Sequence, residues 1–329
     1  MTYIAKQDRY EKMEYRFCGR SGLKLPAMSV GLWHNFGYGS NYENAKDIIL
    51  TSFDTGITHF DLANNYGPPA GSAEEMFGKI LHTELEGYRD ELVISTKAGY
   101  GMWDGPYGDG GSKKYLVSSL DQSLKRMGLD YVDIFYHHRP DTQTPVEETM
   151  DALAGIVRQG KALYIGLSNY NAKQLKEASD CLNAMGIHCL IHQHNYSMLN
   201  QKSRELLPVL EEEGIGAIAY CPLAQGLLTD KYLHGIPADS RAAGHSAFLG
   251  RDAITPELEE KVAKLNGIAE NRGQKLSQMA LVWALQTGRL TSVILGASRA
   301  SQITDNVAAL QNKTLSEEEL KEIENILEA

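Results

Sequence analysis

Four polar side chains of complementary chemistry follow short apolar runs in the first half of the chain: Asp61, Tyr66, Lys97 and His138. A free tyrosine has a pKa near about 10, which is too high for ready proton donation at neutral pH. A lysine ammonium within about 4–6 Å would lower that pKa, and an adjacent aspartate would keep the lysine charged. These groups suit protonation of a substrate oxygen, held by the histidine, while a hydride reaches its carbon. Because no side chain supplies a hydride, this chemistry requires a cofactor.

The elements that would position these side chains alternate along the sequence. Short β-rich runs recur, and segments of helical spacing lie between them, which is typical of a parallel β/α architecture. The predicted strands span residues 27–32, 58–63, 92–97, 132–138, 162–169, 190–197, 217–223 and 291–298. Eight such units predict an α/β fold, a (β/α)8 TIM barrel, whose active site lies at the C-terminal ends of the strands.

Segments of helical periodicity include residues 44–55, 116–127, 146–158, 171–184 and 201–213. Thr144 is predicted as the N-cap of the 146–158 helix, with Pro145 in its first turn. Two helices, at 256–271 and 276–286, precede the last strand, and two more, at 301–310 and 316–327, follow it as additional C-terminal helices. No linker rich in proline or serine divides the chain, so we expect a single domain over residues 1–329.

Two long loops follow predicted strands, at 98–114 and 224–253. Long loops in a compact domain are often functional. The first is rich in glycine and carries Tyr100 and Trp103, and we interpret it as a mobile substrate lid.

Composition limits the classes of function. The chain has 43% hydrophobic and 22% charged residues, as globular proteins do. A net charge of −10 argues against a nucleic-acid partner, which needs a basic surface. The sequence shows no basic amphipathic stretch, no secretory leader and no apolar run long enough to span a bilayer. With only four cysteines (Cys18, Cys181, Cys189 and Cys221) and no CxxC pair, the protein is expected in the reducing cytoplasm.

Several separated motifs resemble those of the aldo-keto reductase family across nearly the whole chain. They are GITHFDLA at 56–63 followed by Tyr66-Gly67, SAEE at 72–75, STK at 95–97, DYVD at 130–133 and GLSN at 166–169. By position, the catalytic tetrad of that family falls on Asp61, Tyr66, Lys97 and His138. The resemblance therefore implies an NADPH-dependent oxidoreductase in which Tyr66 is the proton donor.

The resemblance also implies where the cofactor would bind. Trp33, Asp61, Ser168, Asn169, Gln193 and Tyr220 match the nicotinamide site, and Cys221, Pro222, Leu223, Ala224 and Gly226 match a backbone cradle for the pyrophosphate. Lys231 and Arg241 resemble basic phosphate contacts, and Gly296, Ser298, Gln302, Asp305 and Asn306 resemble the adenosine end. Where many members carry a Lys-Ser pair, this chain has GASR at 296–299, so NADP preference would depend on Ser298, Gln302 and Arg241, and NADH stays open.

Within the family, further motifs resemble two branches: bacterial reductases of glyceraldehyde 3-phosphate and methylglyoxal, and potassium-channel β-subunits. The implied substrate is a small aldehyde or ketone, which would contact Trp33, Tyr66, Tyr100, Trp103 and His138. The alternative is a cofactor-sensing regulatory subunit. The channel subunits bear Asn at the position of His138, which favours an enzyme here, and the bacterial relatives suggest a homo-oligomer.

Three other histidines have a competing interpretation. His137 alternates with His138 along its strand and should point toward the helices. His192 and His194 form an HxH pair that could be half of a zinc site in a metal-dependent hydrolase. If Gln193 between them faces the cofactor, both histidines face the helices, and no third ligand lies at a matching strand end. We therefore expect no metal.

Overall fold

The computed structural model describes residues 3–233, 235–237, 241–243 and 249–328. In this part of the chain, eight parallel strands close into a barrel. They are β3 (Met28–Gly31), β4 (His59–Asp61), β5 (Val93–Ala98), β6 (Val132–His137), β7 (Ala162–Ser168), β8 (Cys189–Asn195), β9 (Gly216–Tyr220) and β10 (Ser292–Leu295). Neighbours in the barrel follow chain order from β3 to β9, and β10 closes it by pairing with both β9 and β3.

A two-stranded antiparallel hairpin precedes the barrel: β1 (Tyr15–Phe17) and β2 (Lys24–Pro26). It closes the N-terminal end of the barrel, because Cys18 and Leu25 are fully buried and belong to the cluster of side chains inside it. Gly216 at the start of β9 permits this approach, since a Cβ there would collide with the Cys18 sulfur.

Ten α-helices lie in the described residues. They are α1 (Tyr42–Asp54), α2 (Ser72–Ile80), α3 (Lys113–Met127), α4 (Val146–Arg158), α5 (Ala172–Ala184), α6 (Leu206–Glu213), α7 (Pro256–Asn271), α8 (Leu276–Thr287), α9 (Ala300–Val307) and α10 (Glu317–Glu328). Local signals fix several ends: the Asn41 side chain caps α1, Ser112 caps α3, and Gly128 ends α3 in a left-handed conformation.

Two apolar clusters hold these layers together. The larger packs the helices onto the outer face of the barrel, and the smaller fills the barrel interior with side chains such as Val93, Ile134, Ile191 and Ile218. This layering leaves the C-terminal ends of the strands open for polar side chains.

The predicted barrel and its additional C-terminal helices are confirmed, and several local predictions need correction. The strands are mostly shorter than predicted, because residues such as Leu62, Leu223 and Ser298 already belong to loops. The β1–β2 hairpin and α2 were not predicted. Thr144 is not the N-cap of α4: Pro145 occupies that position, and the Thr144 hydroxyl donates to Asp141 instead.

No helix in the described ranges combines the length and apolarity needed to cross a membrane.

Candidate active site

Asp61, Tyr66 and Lys97 meet at the C-terminal end of β4 and β5. Lys97 Nζ lies 2.6 Å from Asp61 Oδ2, 2.6 Å from the Leu62 carbonyl oxygen and 3.4 Å from the Tyr66 hydroxyl, donating to each. Lys97 is 0% exposed and Asp61 is 2% exposed, whereas Tyr66 is partly exposed at the mouth. All three ammonium protons have acceptors, which is the condition under which a buried ion pair is tolerated.

His138 follows β6 directly and faces the same opening. Its ring centroid lies 6.0 Å from that of Tyr66 and 4.7 Å from that of Tyr100. Its Nδ1 atom is buried without a hydrogen-bond partner in the described structure. Burial, followed by the charge on Lys97, lowers the pKa of His138 well below its usual value, so the ring is neutral.

The protonation of Tyr66 differs from the sequence-based expectation. We expected the Lys97 ammonium to lower the pKa of Tyr66, but burial of the hydroxyl outweighs it, and the Asp61 charge adds to the effect. The pKa of Tyr66 is therefore raised well above 10. Burial also lowers the pKa of Lys97, although Asp61 opposes this shift. Tyr66 thus holds its proton at neutral pH, and the idea of a phenol poised near neutral pH is wrong for this state of the molecule.

The residues predicted to hold the nicotinamide lie beside this cluster. Asn169 donates to Ser168 Oγ at 3.1 Å and to the His138 carbonyl oxygen at 3.0 Å, and Tyr220 donates to Asn169 Oδ1 at 2.8 Å. Gln193 Nε2 lies 3.3 Å from Asp61 Oδ1. Side chains from β7, β8 and β9 thereby form a continuous polar surface next to Tyr66.

The backbone after β9 is unusual. Cys221, Ala224 and Gln225 have φ of 54°, 47° and 62°, in the left-handed region that side chains rarely adopt, and Gly226 follows with φ of 96°. Each such residue costs on the order of 1–3 kcal/mol and is found mainly at ligand sites. Pro222 is buried within this turn and Leu223 is half-buried. Within this turn the Ala224 and Gly226 amides already donate to the Cys221 and Leu223 carbonyl oxygens, and Pro222 has no amide proton, so the backbone cradle for a pyrophosphate stays a prediction.

The predicted adenosine-end residues cluster between β10 and α9. Gln302 Oε1 accepts from the Ser298 amide at 2.8 Å, so the two side chains are held against each other. A side chain at Gly296 would meet open space. Asn306 is buried, and Asp305 pairs with Lys275 at 2.6 Å.

The two predicted phosphate-binding cations are less informative. Lys231 is exposed in the short 3-10 turn Asp230–Tyr232. The prediction for the Arg241 side chain lies outside the described residues.

Of the predicted substrate residues, Trp33 and Tyr100 flank the tetrad. The Trp33 ring stacks on Tyr66 at 5.8 Å, with 23° between the planes. Trp103 packs on Tyr115 of α3 at 5.2 Å. The loop carrying Trp103 is fastened at its base, because Arg139 donates to the Gly99 carbonyl oxygen at 2.8 Å and to both Asp109 oxygens at 2.9 and 3.0 Å.

His137, His192 and His194 face the helices. His137 Nδ1 lies 2.6 Å from the Tyr170 hydroxyl, and His192 and His194 contact each other through their Nδ1 atoms at 3.2 Å. Across the described ranges, no three His, Cys, Asp or Glu side chains are arranged to hold a metal ion.

Sequence reasoning assigned no role to Arg139, Tyr115 or His59. Arg139 stands next to His138 at a strand end, and that position was the available signal. Tyr115 lies on a helix, and its hydroxyl accepts from Asn64 Nδ2 at 3.0 Å across the base of the loop. No sequence spacing relates those two residues.

The aldo/keto reductase family model matches residues 27–328. The chain belongs to this family. An L-glyceraldehyde 3-phosphate reductase of Escherichia coli (strain K12) is 54% identical over 331 residues, covering 98% of this chain and 95% of the relative. A probable voltage-gated potassium channel subunit beta of Arabidopsis thaliana is 39% identical over 305 residues, covering 91% of each.

Among solved structures, the holo form of aldo-keto reductase AKR11C1 from Bacillus halodurans matches with a TM-score of 0.78 at 25% identity, covering 95% of this chain and 96% of that one. The predicted family is therefore confirmed, and the protein is an oxidoreductase of a family that uses nicotinamide cofactors.

Proposed function

We propose that this oxidoreductase reduces small aldehydes, of the glyceraldehyde 3-phosphate or methylglyoxal type, with NADPH, and that Tyr66 is the proton donor. The observation that carries the proposal is the contact between the Tyr66 hydroxyl and Lys97 Nζ at 3.4 Å, with Asp61 behind the lysine and His138 beside the tyrosine. The relative named L-glyceraldehyde 3-phosphate reductase, at 54% identity, supports the substrate class.

When bound, the reduced nicotinamide supplies the hydride that no side chain can provide. Ser168, Asn169 and Gln193 would hold its carboxamide, and the Tyr220 ring would support it. The strained turn at 221–226 would receive the pyrophosphate, and the segment from Gly296 to Asn306 the adenosine end. The preference for NADPH rests on Ser298, Gln302 and the Arg241 position, since a 2′-phosphate needs donors at that end of the site.

Proton transfer would follow from the ionisation of these groups. Tyr66 is a neutral phenol at neutral pH, because burial raises its pKa. It would donate its proton only as negative charge develops on the substrate oxygen. The Lys97 ammonium would then stabilise the phenolate, and Asp61 would keep that ammonium in place. His138, as a neutral ring, would donate its one N–H to the same substrate oxygen and orient it.

The position of Arg139 favours a substrate that carries a phosphate group. Its guanidinium carbon lies 4.9 Å from the centroid of the Tyr100 ring, which in turn contacts His138. Its side chain keeps 36% of its surface exposed at the mouth, and a substrate phosphate there would share the guanidinium with Asp109, with which Arg139 is paired. A guanidinium matches the geometry of phosphate oxygens.

The decisive experiment is Tyr66→Phe. We expect turnover of glyceraldehyde 3-phosphate with NADPH to fall by at least about 100-fold, because a positioned general acid contributes that much. Cofactor binding, followed by fluorescence, should persist. Tyr15→Phe is the matched control: Tyr15 is also partly buried and donates a hydrogen bond, to the Gly56 carbonyl oxygen at 2.6 Å, but on the hairpin side of the barrel. Undiminished turnover in Tyr66→Phe would reject the assignment.

The second candidate function is a cofactor-sensing regulatory subunit, which the relatives named as channel β-subunits favour. Steady oxidation of NADPH over many turnovers with glyceraldehyde 3-phosphate or methylglyoxal would exclude it. Binding of NADPH without turnover of any aldehyde in a broad panel would support it instead.

The four cysteines are free, and two of them, Cys18 and Cys189, are buried, which suits the reducing cytoplasm that we propose as the location. Assembly into a homo-oligomer stays a prediction from the resemblance.

A further inference from the structure

A row of buried polar side chains crosses the barrel interior from β10 to β5 and ends at Asp61. Ser292 Oγ lies 2.7 Å from Ser29 Oγ, and Ser29 Oγ lies 2.8 Å from His59 Nδ1. On the other side of the ring, His59 Nε2 lies 2.9 Å from Ser95 Oγ, which lies 2.7 Å from Asp61 Oδ1. Ser29, Ser95, Ser292 and His59 are all 0% exposed, so bulk solvent does not reach these contacts.

The direction of every hydrogen bond in this row follows from its last member. An ionised Asp61 only accepts, so the single Ser95 proton must point to it. Ser95 then accepts from His59, which fixes the histidine proton on Nε2. The bare Nδ1 must accept from Ser29, whose proton is thereby used, and Ser29 accepts in turn from Ser292.

This assignment requires a neutral His59, and its surroundings make it neutral. Desolvation is the largest cause, and with the Lys97 charge it outweighs the opposing Asp61 charge and lowers the pKa of His59 to about 4. The groups around the ring are Ser29 from β3, Ser95, Lys97 and Asp61, and only the last two are charged. At neutral pH the ring therefore carries a single N–H, so it donates to one hydroxyl group and accepts from the other.

We infer that His59 and Ser95 are positioning residues for the proposed proton donor. Every dipole in the row points its proton toward Asp61 Oδ1, which stabilises the carboxylate where water is absent. Because Oδ1 is held by Ser95 and Gln193, Oδ2 remains directed at Lys97 Nζ, 2.6 Å away. The row would thereby fix the ammonium against the Tyr66 hydroxyl. The inference rests on the proposed function, since it gives Tyr66 that role.

The first test reads the proton directly and does not depend on activity. Nitrogen-15 NMR of the uniformly labelled protein distinguishes Nε2–H from Nδ1–H histidines, and the His59 signal is assigned by its loss in His59→Gln. We expect His59 to be the Nε2–H tautomer throughout neutral pH. An Nδ1–H tautomer, or a doubly protonated ring, would overturn the inference.

The second test separates positioning from packing. In Ser95→Ala, we expect the single-turnover rate of NADPH oxidation by an aldehyde to fall about tenfold or more, because a hydrogen bond to a charged group is lost. The KM for the aldehyde and the affinity for NADPH should stay within about twofold. Ser52→Ala is the matched control, since Ser52 is also 0% exposed and donates a hydrogen bond, at 2.6 Å to the Ile48 carbonyl oxygen, but lies on α1.

The reduction in the single-turnover rate should become smaller as the substituted residue lies farther from Asp61 along the row. Ser29→Ala breaks the row two residues farther from Asp61 than Ser95→Ala does, so it should slow the same step less. His59→Gln keeps an amide donor for Ser95 and should retain more activity than His59→Leu, which keeps none. Equal rates in Ser95→Ala and Ser52→Ala, with Tyr66→Phe inactive, would refute this inference alone. Full activity in Tyr66→Phe would refute the proposed function instead.

Discussion

Asp61→Asn tests the electrostatics of the site most directly, because it removes one charge and almost no volume. Lys97 Nζ is completely buried, and its nearest charge is Asp61 Oδ2 at 2.6 Å. An ammonium left alone in such a place costs about 3–5 kcal/mol of folding free energy. The variant should therefore be markedly less stable than the natural protein at neutral pH, and its turnover should collapse.

The expected shift in melting temperature follows from the size of the chain. With 329 residues and an unfolding entropy of about 2.1 cal/mol/K per residue, the protein unfolds with about 0.7 kcal/mol/K. A loss of about 3–5 kcal/mol then lowers the Tm by roughly 4–7 °C. Thermal unfolding followed by circular dichroism, at one scan rate for both proteins, resolves that difference.

The loss of stability in Asp61→Asn should also depend on pH, and its direction can be worked out from Lys97. Burial lowers the pKa of Lys97, and without Asp61 only the smaller effect of the Glu74 charge still opposes that shift. Above its folded-state pKa the variant binds fewer protons at Lys97 than the unfolded chain does, so stability rises with pH up to the unfolded lysine value of about 10.4. The Tm difference should be largest at neutral pH and shrink as the pH approaches about 10.

A second substitution makes the reasoning refutable. Lys97→Met added to Asp61→Asn removes the uncompensated ammonium, so the double variant should regain most of the lost stability while remaining inactive. Equal melting temperatures of Asp61→Asn and the natural protein at neutral pH would contradict an uncompensated charge on Lys97. A double variant that is less stable than Asp61→Asn alone would contradict it as well.

Three further predictions concern neighbouring features. His138→Leu should lower the single-turnover reduction rate by about 100-fold, because one donor to the developing oxyanion is lost; binding of NADPH, measured by fluorescence, should not change. Arg139→Met should raise the KM for glyceraldehyde 3-phosphate by about tenfold more than it raises the KM for methylglyoxal, because a phosphate contact is lost in addition to the loop contacts with Gly99 and Asp109; equal KM changes for both aldehydes would argue against a phosphate contact. Trp283→Ala should destabilise the fold by about 3–5 kcal/mol in urea unfolding, because this ring is 1% exposed and stacks on Tyr196 at 5.4 Å, while the reduction rate per folded molecule stays the same.

The sequence was sufficient to predict the position of the tetrad, because strand ends in a parallel barrel share one mouth. Asp61 ends β4, Lys97 is the penultimate residue of β5, and His138 follows β6, so alternation alone brings them together. Tyr66 lies just beyond its strand, and both its position near that strand end and the family resemblance pointed to it. The alternation of His137 and His138, and of Gln193 with its flanking histidines, was also predicted from the period of a strand.

Other features depend on contacts that no local pattern encodes. Ser29 and Ser292 touch inside the barrel although they are 263 residues apart in sequence. The ionisation of Tyr66 depends on burial, whereas the sequence showed only the presence of a lysine, so the predicted sign of its pKa shift was wrong. The hairpin was missed because its strands of three residues each are too short to show a period.

The barrel interior consists of two layers, and the site depends on both. Near the hairpin the interior is apolar, with Ile134, Ile191 and Ile218 packed around Leu25. Above this floor lies the row of hydrogen-bonded groups that runs from Ser292 through His59 to Asp61 and Lys97. This apolar layer strengthens the attraction between Asp61 and Lys97, because it keeps the effective dielectric constant low on that side of the ion pair. Burial also makes the loss of any hydrogen-bond donor in the row costly. A charged lysine beside Tyr66 therefore depends both on the hairpin and on the row through His59.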